Sequence, residues 1–307
     1  MADQHGGPEV VVIGNIGIDT NVYLYGDDVD WSREANFTEN LDTIGQAGGY
    51  ASLGYARLGR RTAFIGHVGD DALGGSIRAA LAAAGIDARA LFTDPAGTSR
   101  SVNIMYRDGR RKNFYDGKSH MQLTIDIDAC SPVLAGARLA HVNLPNWARR
   151  LLPLARDLGV VIACDLQDVT HLDDPYRADF IHWADILFFS AANQASPGAL
   201  IEALLRRNPH QIVVSGMGSQ GCALGARGSV RYFPPVEMDL PVVDTNGAGD
   251  SLAVGFLASY VLDGYSLEDS ILRGQMAARH TCALRGSSAD LITRAQLDDW
   301  FTREAGA

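Results

Sequence analysis

Short apolar runs alternate with stretches of helical periodicity along most of the chain. The apolar runs predict buried strands, at residues 10–15, 63–66, 139–142, 160–165, 186–189 and 211–215. The stretches between them predict helices, at residues 50–58, 74–84, 147–158 and 197–206. Strands and helices that alternate at this spacing favour βαβ units, and therefore a largely parallel central sheet. The C-terminal part is predicted to be helical, over residues 251–262, 266–284 and 294–301.

A hairpin pattern interrupts this series between residues 98 and 116. Two segments of alternating apolar and polar residues flank a turn at 107–110. Because an antiparallel hairpin does not fit a parallel βαβ series, we place it in a small separate sheet, together with residues 22–25 and 37–43. We therefore expect a single α/β domain over residues 1–307, with a small β-sheet lid formed from about 20–43 and 98–116.

The charge and composition narrow the class of protein. A formal net charge of −10 argues against a nucleic-acid surface, which needs a basic field. No apolar run approaches the roughly 20 residues that a membrane span needs, and residues 1–9 lack the apolar core of a signal peptide. The cysteines are far apart without a CxxC pair, so we expect reduced thiols at Cys130, Cys164, Cys222 and Cys282. These observations predict a cytoplasmic protein with no nucleic-acid and no membrane partner.

The most informative stretch of the sequence is the heptad DTNGAGD at residues 244–250. It lies between an apolar segment and the helical pattern that begins at residue 251. Glycines at the start of a helix leave backbone N–H groups, and the positive end of the helix dipole, facing an anion. Asp250 places a carboxylate at the same point, and an anion site beside a base is what phosphoryl transfer to a hydroxyl group requires. An isolated Gly-rich turn has a simpler interpretation, a tight turn without a ligand.

Two other loops carry candidate binding residues. Asp19 follows the first predicted strand, where a carboxylate can accept hydrogen bonds from two adjacent hydroxyl groups of a polyol. A solvent-exposed turn is the alternative for this residue. Gly48 and Gly49 precede a helical stretch, where they serve either close packing or a close approach of the backbone to a substrate.

The heptad resembles the C-terminal signature of the PfkB family of carbohydrate kinases. The resemblance implies a ribokinase-like α/β fold, which is a three-layer sandwich with a mostly parallel central sheet flanked by helices and a small β-sheet lid. It also implies roles for four residues of the heptad. Asp250 would be the catalytic base, and the amides of Gly247, Ala248 and Gly249 would stabilise the charge on the transferring phosphoryl group.

The N-terminal region is similar to the acceptor-binding part of the same family. Residues 13–19 resemble its opening strand and loop, where the last Asp binds sugar hydroxyls. This resemblance assigns Asp19 to the acceptor, with Asn15 of the same loop beside it.

Residues 45–59 resemble part of the family's N-terminal signature, in which a Gly-Gly pair precedes a substrate-binding Asn. The pair falls either on residues 45–46 or on Gly48 and Gly49, depending on the alignment, and Tyr50 takes the Asn position in the first case. The Asn is missing in both alignments, so the acceptor pocket departs from the family pattern. Tyr50 offers a ring face and one hydroxyl group instead of an amide. The predicted acceptor site comprises Asn15, Asp19, Gly48, Gly49 and Tyr50.

The loop after the strand at 211–215 resembles the family's nucleotide loop, Thr-x-Gly-x-x-Gly. Gly218 and Gly221 match this pattern, whereas Gly216 stands at the Thr position. A bare turn is the alternative for any Gly-rich loop that follows a strand. Together with Thr245 of the heptad, these glycines form the predicted ATP site.

The resemblance also implies metal ions. Asn193 lies in the segment that corresponds to an Asn-x-x-Glu motif, whose Glu helps to hold Mg²⁺ through water, but Asn193 brings no charge. Relatives hold a monovalent cation as well, which predicts K⁺ at Asp244 and the loop at 282–288. The predicted cofactors are therefore ATP and Mg²⁺, with K⁺ as a further candidate.

We predict an ATP-dependent kinase that phosphorylates a hydroxyl group of a sugar, or of a sugar-like molecule such as a nucleoside. Lid sheets pair between subunits in relatives, so a homodimer through the lid is a second expectation. The alternative from a different class is a catalytically weak or inactive ligand-binding or regulatory protein, motivated by Asn193 and the altered acceptor loop. A Rossmann dehydrogenase is disfavoured because no GxGxxG follows the first strand.

Overall fold

The structure is a computed structural model that describes residues 6–108, 110–169, 172–191, 196–286 and 288–305. The strands in these ranges are β1 (Val10–Ile13), β2 (Gly17–Leu24), β3 (Thr38–Gly45), β4 (Thr62–Gly69), β5 (Asp87–Asp94), β6 (Arg100–Met105), β7 (Arg111–Asp116), β8 (Leu139–Val142), β9 (Val161–Asp168), β10 (Ile186–Ser190), β11 (Ile212–Gly216), β12 (Cys222–Ala226) and β13 (Ser229–Phe233). The α-helices are α1 (Gln46–Arg57), α2 (Ala72–Ala83), α3 (Ile127–Leu134), α4 (Leu152–Asp157), α5 (Ala178–Trp183), α6 (Gly198–Arg207), α7 (Ala248–Leu257), α8 (Leu267–Thr281) and α9 (Arg294–Ala305).

The larger of the two sheets has nine strands in the order β13-β12-β11-β10-β9-β8-β1-β4-β5. The strands from β11 to β5 pair in parallel, and β12 and β13 add an antiparallel hairpin at one edge. All four residues of the interior strand β1 are fully buried, because both faces of a parallel sheet are covered. The predicted, mostly parallel central sheet is confirmed.

Strand β1 shows how the layers on the two faces form. Val10 and Val12 belong to one apolar layer, which includes residues of α1, α7 and α8. Val11 and Ile13 belong to the other layer, with residues of α3, α4 and α6. Successive side chains of a strand point to opposite faces, so one buried strand contributes to both layers. The result is the three-layer sandwich that the resemblance implied.

The smaller sheet, which we call the lid, has four strands in the order β3-β2-β6-β7. Strand β2 pairs antiparallel with β3 and parallel with β6, and β6 and β7 form the predicted hairpin. Strand β2 begins shortly after β1 ends, and β3 leads directly into α1. The lid is therefore attached to loops at the carboxyl ends of the parallel strands, which is where ligands bind in α/β folds.

Several predicted helix boundaries were wrong. Helix α7 begins at Ala248 rather than at residue 251, because Gly247 adopts a left-handed backbone conformation that caps the helix. Helix α1 also begins earlier than predicted. The segment 147–158 is a 3₁₀ turn followed by α4, and Pro153 lies in the first turn of α4, where its missing N–H costs no hydrogen bond. Strand β5 and the short helices α3 and α5 were not predicted.

The reduced cysteines that the sequence predicted are confirmed. All four cysteines are free, and Cys130, Cys164 and Cys222 are buried. Burial raises the pKa of the Cys130 and Cys222 thiols to about 12 in each case. Among the residues that the structure describes, no helix combines the length and the hydrophobicity that crossing a bilayer needs.

Candidate active site

The heptad 244–250 forms the loop that leads into α7. Gly247 has a φ of 72°, a conformation that favours glycine, and its carbonyl accepts the N–H of Ser251 at 2.9 Å. The amides of Gly249 and Asp250 lie in the first helical turn, where N–H groups have no intrahelical acceptor. An added Cβ at Gly249 would meet no atom within 4 Å, so the space beside the first turn of the helix is open at this residue. This geometry suits an anion.

Asp250 lies in the first turn of α7 and is half-buried. Burial raises the pKa of its carboxyl group well above the usual range, and the negative charge of Asp165 raises the pKa further. The Arg111 guanidinium acts in the opposite direction. A carboxylate with a raised pKa holds a proton more strongly, which suits a general base that acts on a hydroxyl group.

Asp165 is a second carboxylate at this place that the sequence did not single out as a site residue. It is buried, near the carboxyl end of β9. Its Oδ1 accepts the backbone N–H of Gln167 at 2.9 Å, and its Oδ2 accepts the Gln167 side-chain amide at 2.7 Å. Burial raises the pKa of Asp165 to about 6. The available signal was a predicted strand that ends in a carboxylate, because that end of a parallel strand faces the ligand side of the sheet.

Asp19 lies within β2 and is 4% exposed, so the alternative of a solvent-exposed turn is wrong. Its Oδ2 accepts a 2.5 Å hydrogen bond from the Tyr50 hydroxyl. Its Oδ1 is buried without a hydrogen-bond partner among the described residues. Gly45 approaches the carboxylate so closely that any side chain there would collide with it. A buried carboxylate oxygen without a donor is an acceptor that a ligand can satisfy.

A chain of hydrogen bonds joins Asp19 to the heptad and to the lid. The Tyr50 hydroxyl, which donates to Asp19, accepts a 2.8 Å hydrogen bond from Nδ2 of Asn246. Oδ1 of Asn246 in turn accepts a hydrogen bond from Nη1 of Arg111, in β7. Tyr50, which stands where the family pattern has an Asn in one alignment, is thus the link between the acceptor carboxylate and the loop before α7. Neither Asn246 nor Arg111 is among the residues that the sequence assigned to the site.

The remaining predicted acceptor residues lie in the same region. Nδ2 of Asn15 donates to the Tyr115 hydroxyl of the lid at 2.8 Å, and the carbonyl of Asn15 accepts the N–H of Gly48 at 2.9 Å. A side chain at Gly48 would collide with that carbonyl, and one at Gly49 would crowd apolar side chains of β3 and of the loop after β1. Both glycines therefore permit close packing of α1, and direct contact of either one with an acceptor stays a prediction.

The inner face of the lid, defined by Asn21, Asn103 and Asn113, carries a row of hydrogen-bonded amides. These residues lie opposite one another across β2, β6 and β7. Nδ2 of Asn103 donates to Oδ1 of Asn21 at 3.0 Å, and Nδ2 of Asn113 donates to Oδ1 of Asn103 at 2.8 Å. Because side chains alternate along a strand, Arg111 and Tyr115 of β7 share this face. A face of this polarity suits a molecule rich in hydroxyl groups.

The predicted nucleotide loop follows β11. Gly218 and Gly221 have φ values of 58° and 89°, so both use the left-handed region that glycine allows. A Cβ at Gly216 would lie 3.7 Å from the Leu252 side chain of α7, so this loop is adjacent to the helix that carries Asp250. Thr245 is exposed. Asn193 lies outside the described residues.

Asp244 is buried, and both of its carboxylate oxygens accept hydrogen bonds. Oδ1 accepts the N–H of Asn246 at 2.7 Å, and Oδ2 accepts the Tyr23 hydroxyl at 2.7 Å. The Tyr23 oxygen accepts the N–H of Gly286 at 2.9 Å. Asp244 thus connects the heptad to the turn at 282–286 and to β2. Its role in holding a monovalent cation stays a prediction.

The carboxylates near α7 decide whether this site could hold Mg²⁺. Within the described ranges, no group of three or more His, Cys, Asp or Glu side chains could hold a metal ion by itself. Mg²⁺ usually keeps several waters and is bound by one or two carboxylates together with the phosphates of a nucleotide. Asp165 and Asp250, whose charges act on each other, fit this kind of site.

The comparisons with known proteins identify the family. A family model described as pfkB family carbohydrate kinase matches residues 8–156 and 178–294. The chain belongs to the PfkB family of carbohydrate kinases. Kinases of this family use ATP, typically together with Mg²⁺.

Two relatives of this PfkB kinase illustrate the range of named activities. It is 31% identical over 294 residues to the acarbose 7(IV)-phosphotransferase of an Actinoplanes species, covering 94% of this chain and 97% of that protein. It is 27% identical over 271 residues to a fructokinase of Klebsiella pneumoniae, covering 81% of this chain and 87% of that protein. The names of these two relatives thus give two different carbohydrates as the acceptor, acarbose and fructose.

Solved structures confirm the fold of the PfkB kinase. The microbiome-derived acarbose kinase Mak1 matches it with a TM-score of 0.89 at 30% sequence identity, covering 97% of this chain and 100% of that one. A ribokinase of Arabidopsis thaliana, in complex with ribose and ATP, matches with a TM-score of 0.80 at 21% identity, covering 96% of this chain and 99% of that one. The ribokinase-like fold predicted from the heptad is therefore confirmed.

Proposed function

We propose that this kinase transfers the γ-phosphoryl group of ATP to a hydroxyl group of a sugar or a sugar-like acceptor, a nucleoside included, with Asp250 as the general base. One observation carries the proposal. The carboxylate Asp19 and the loop before α7 share a hydrogen-bond chain through Tyr50 and Asn246. That chain sets the separation between the acceptor site and the phosphoryl site, and transfer between two bound substrates depends on this positioning.

The residues divide the chemistry between them. Asp19 orients the acceptor through the carboxylate oxygen that Tyr50 leaves without a donor. The acceptor hydroxyl gives its proton to Asp250 while its oxygen forms a bond to the γ-phosphorus. The bond between that phosphorus and the bridging oxygen of ATP breaks, and its electron pair leaves with ADP. The amides of residues 247–249 and the dipole of α7 stabilise the charge on the phosphoryl oxygens.

The cofactor sites follow from the loops around α7. We propose that the phosphates and the adenine ring of ATP bind to the nucleotide loop and the heptad. The residues assigned to this site are Gly216, Gly218, Gly221 and Thr245. Mg²⁺ supplies positive charge to the phosphates when it is bound. Asp165 and Asp250 would face its water ligands, with Asn193 as a neutral third group. For K⁺ we propose Asp244 and backbone carbonyls of residues 282–288, since two hydrogen bonds do not exhaust the acceptor capacity of a carboxylate.

Acarbose is the first acceptor that we propose to test. The acarbose 7(IV)-phosphotransferase and the acarbose kinase Mak1 are 31% and 30% identical to this chain and cover at least 94% of it. The inner face of the lid adds support, because its row of amides can contact hydroxyl groups beyond the sugar ring that reacts. Fructose, ribose and nucleosides complete the panel.

A second copy of this chain is the partner that we propose for the outer face of the lid. Val22, Ile104 and Phe114 alternate with the inner residues along their strands and therefore lie on this face. Phe114 is 57% exposed, and Trp31, which borders the same open depression of about 620 Å³, is 89% exposed. An exposed apolar sheet face favours association. This supports the predicted homodimer through the lid.

The decisive experiment measures ADP release with ATP, Mg²⁺ and each acceptor of the panel, for the wild type and for Asp250→Asn. We expect release with at least one acceptor, and loss of nearly all turnover in the variant with nucleotide binding retained. Residual turnover together with lost ATP binding would refute the assignment of the base. A wild type that binds ATP and a sugar but releases no ADP would instead support the binding or regulatory alternative.

A further inference from the structure

Arg111 is the first residue of β7, and its guanidinium reaches from the lid to the heptad. Its Nη1 donates to Oδ1 of Asn246, which immediately precedes the Gly247 that caps α7. The lid therefore brings a cation to the N-terminus of α7, where the helix dipole already places positive potential. Two positive groups at one place attract an anion.

Three of the other cations around the hairpin differ from Arg111 in having carboxylate partners. Arg100 lies 3.7 Å from Asp42, Arg110 lies 2.6 Å from Asp108, and Lys118 lies 2.7 Å from Asp116. Within the described parts of the chain, Arg111 forms no ion pair, and its bond to Asn246 engages one of five guanidinium donors. Asp250 is close enough for the charge of Arg111 to act on it, but the two form no ion pair. The remaining donors of Arg111 are therefore available to a ligand.

We propose that Arg111 is a further catalytic residue, whose guanidinium contacts the γ-phosphoryl group of ATP during transfer and neutralises charge on its non-bridging oxygens. The inference rests on the proposed function, because it adds a group to the same site. A planar guanidinium can donate two parallel hydrogen bonds to a phosphoryl group. The bond changes are those given above: the acceptor oxygen bonds to phosphorus, the bridging bond breaks with its electron pair leaving on ADP, and the proton passes to Asp250. Arg111 keeps its own protons throughout.

The position of Arg111 in the lid links its charge to lid closure. Tyr115, on the same strand, contacts Asn15 of the acceptor loop, so the contacts of both residues depend on the lid lying over the site. A displaced lid withdraws the cation and admits water at the same time. Water then meets a phosphoryl group without this stabilisation, which limits wasteful hydrolysis of ATP.

Three variants distinguish the effect of the positive charge of Arg111 from the effect of its hydrogen bond, which positions Asn246. Arg111→Gln keeps an N–H donor for Asn246 but loses the charge, whereas Arg111→Lys keeps the charge. Lys112→Gln is the matched control, because Lys112 is the next residue of β7 and its side chain points to the opposite face. We expect Arg111→Gln to lower kcat by roughly 10²- to 10³-fold with the KM for ATP and for the acceptor little changed. Arg111→Lys should keep more activity, and Lys112→Gln should stay within about twofold of the wild type.

A second measurement needs no turnover and no known acceptor. ADP with aluminium fluoride imitates the transferring phosphoryl group, and its affinity can be measured by calorimetry for the wild type and for Arg111→Gln. We expect the variant to lose affinity for this mixture by a factor similar to its loss of kcat, while its affinity for ADP alone is retained.

Three results would overturn the proposal for Arg111: a kcat retained in Arg111→Gln, a loss confined to the KM for the acceptor, or equal affinities for ADP with aluminium fluoride. If the wild type phosphorylates no acceptor, the proposed function itself fails. The comparison with aluminium fluoride then still decides for or against a contact between Arg111 and the phosphoryl group.

Discussion

The Tyr50 hydroxyl donates a 2.5 Å hydrogen bond to Oδ2 of Asp19 and accepts a 2.8 Å hydrogen bond from Asn246. One oxygen of the Asp19 carboxylate is therefore engaged by the protein itself. Only Oδ1 is left without a donor among the described residues. The sequence suggested that Asp19 receives two adjacent hydroxyl groups, but the contact with Tyr50 leaves it better suited to a single donor from the acceptor.

We expect Tyr50→Phe to lower kcat/KM for the acceptor by roughly 10- to 100-fold, because a hydrogen bond to a charged group contributes about 1.5–3 kcal/mol. The KM for ATP should change little. Tyr55→Phe is the matched control, since its buried hydroxyl lies in α1 at 3.1 Å from Nδ1 of His141. The control should lose stability and keep its kinetics, so equal kinetic losses in both variants would point to a general packing effect.

Asp250→Asn should raise the Tm although it abolishes turnover. A folded-state pKa above the unfolded value means that ionisation of Asp250 opposes folding. The carboxyl group contributes stability below its unfolded pKa of about 3.9, and this contribution is lost as the pH rises through the folded value. The neutral Asn removes the penalty, so calorimetry at pH 8 should show an increase of about 1–3 °C that disappears near pH 3–4. A lower Tm for the variant at pH 8 would contradict this account.

The pH dependence of kcat/KM should report on Asp165 and Asp250 together. A general base must be deprotonated, so the rate should fall as the pH falls through the apparent pKa of the pair. Asp165→Asn removes a negative charge that raises the pKa of Asp250. It should therefore move the acid limb, which is the low-pH side of the plot of kcat/KM against pH, to lower pH. Arg111→Gln removes a positive charge that lowers the same pKa, and it should move the limb to higher pH. Shifts in the same direction in the two variants would rule out this electrostatic explanation.

Phe114→Asp tests the proposed association through the outer face of the lid. Burial of this side chain between two copies would make a carboxylate there costly, so we expect the variant to be monomeric where the wild type is dimeric. Light scattering coupled to size-exclusion chromatography measures the mass directly. Tyr232→Asp is the control, because Tyr232 is similarly exposed at 53% but lies on β13, at the far edge of the larger sheet. A monomeric wild type, or an equal effect of both substitutions, would count against a lid interface.

The order of strands and helices could be read largely from the sequence, because local patterns determine it. Buried parallel strands appear as apolar runs, and the lid hairpin appears as alternation around a turn. The elements that were missed are those with weak local signals, such as α5 with six residues and α3 with an internal proline. The start of α7 was placed too late because it depends on the backbone conformation of Gly247, which the pattern of apolar residues does not encode.

The sequence by itself determined the family, the glycines that precede a helix and the carboxylate Asp250, since one short segment contains all of these features. Only the tertiary structure decided that Asp165 lies near Asp250, that Tyr50 engages Asp19, and that Arg111 reaches Asn246. The bonds from Asn246 to Tyr50 and Arg111 join residues 196 and 135 positions apart. Such contacts arise when separate strands and helices pack at the same end of a sheet, and no local pattern of residues records which side chains then meet.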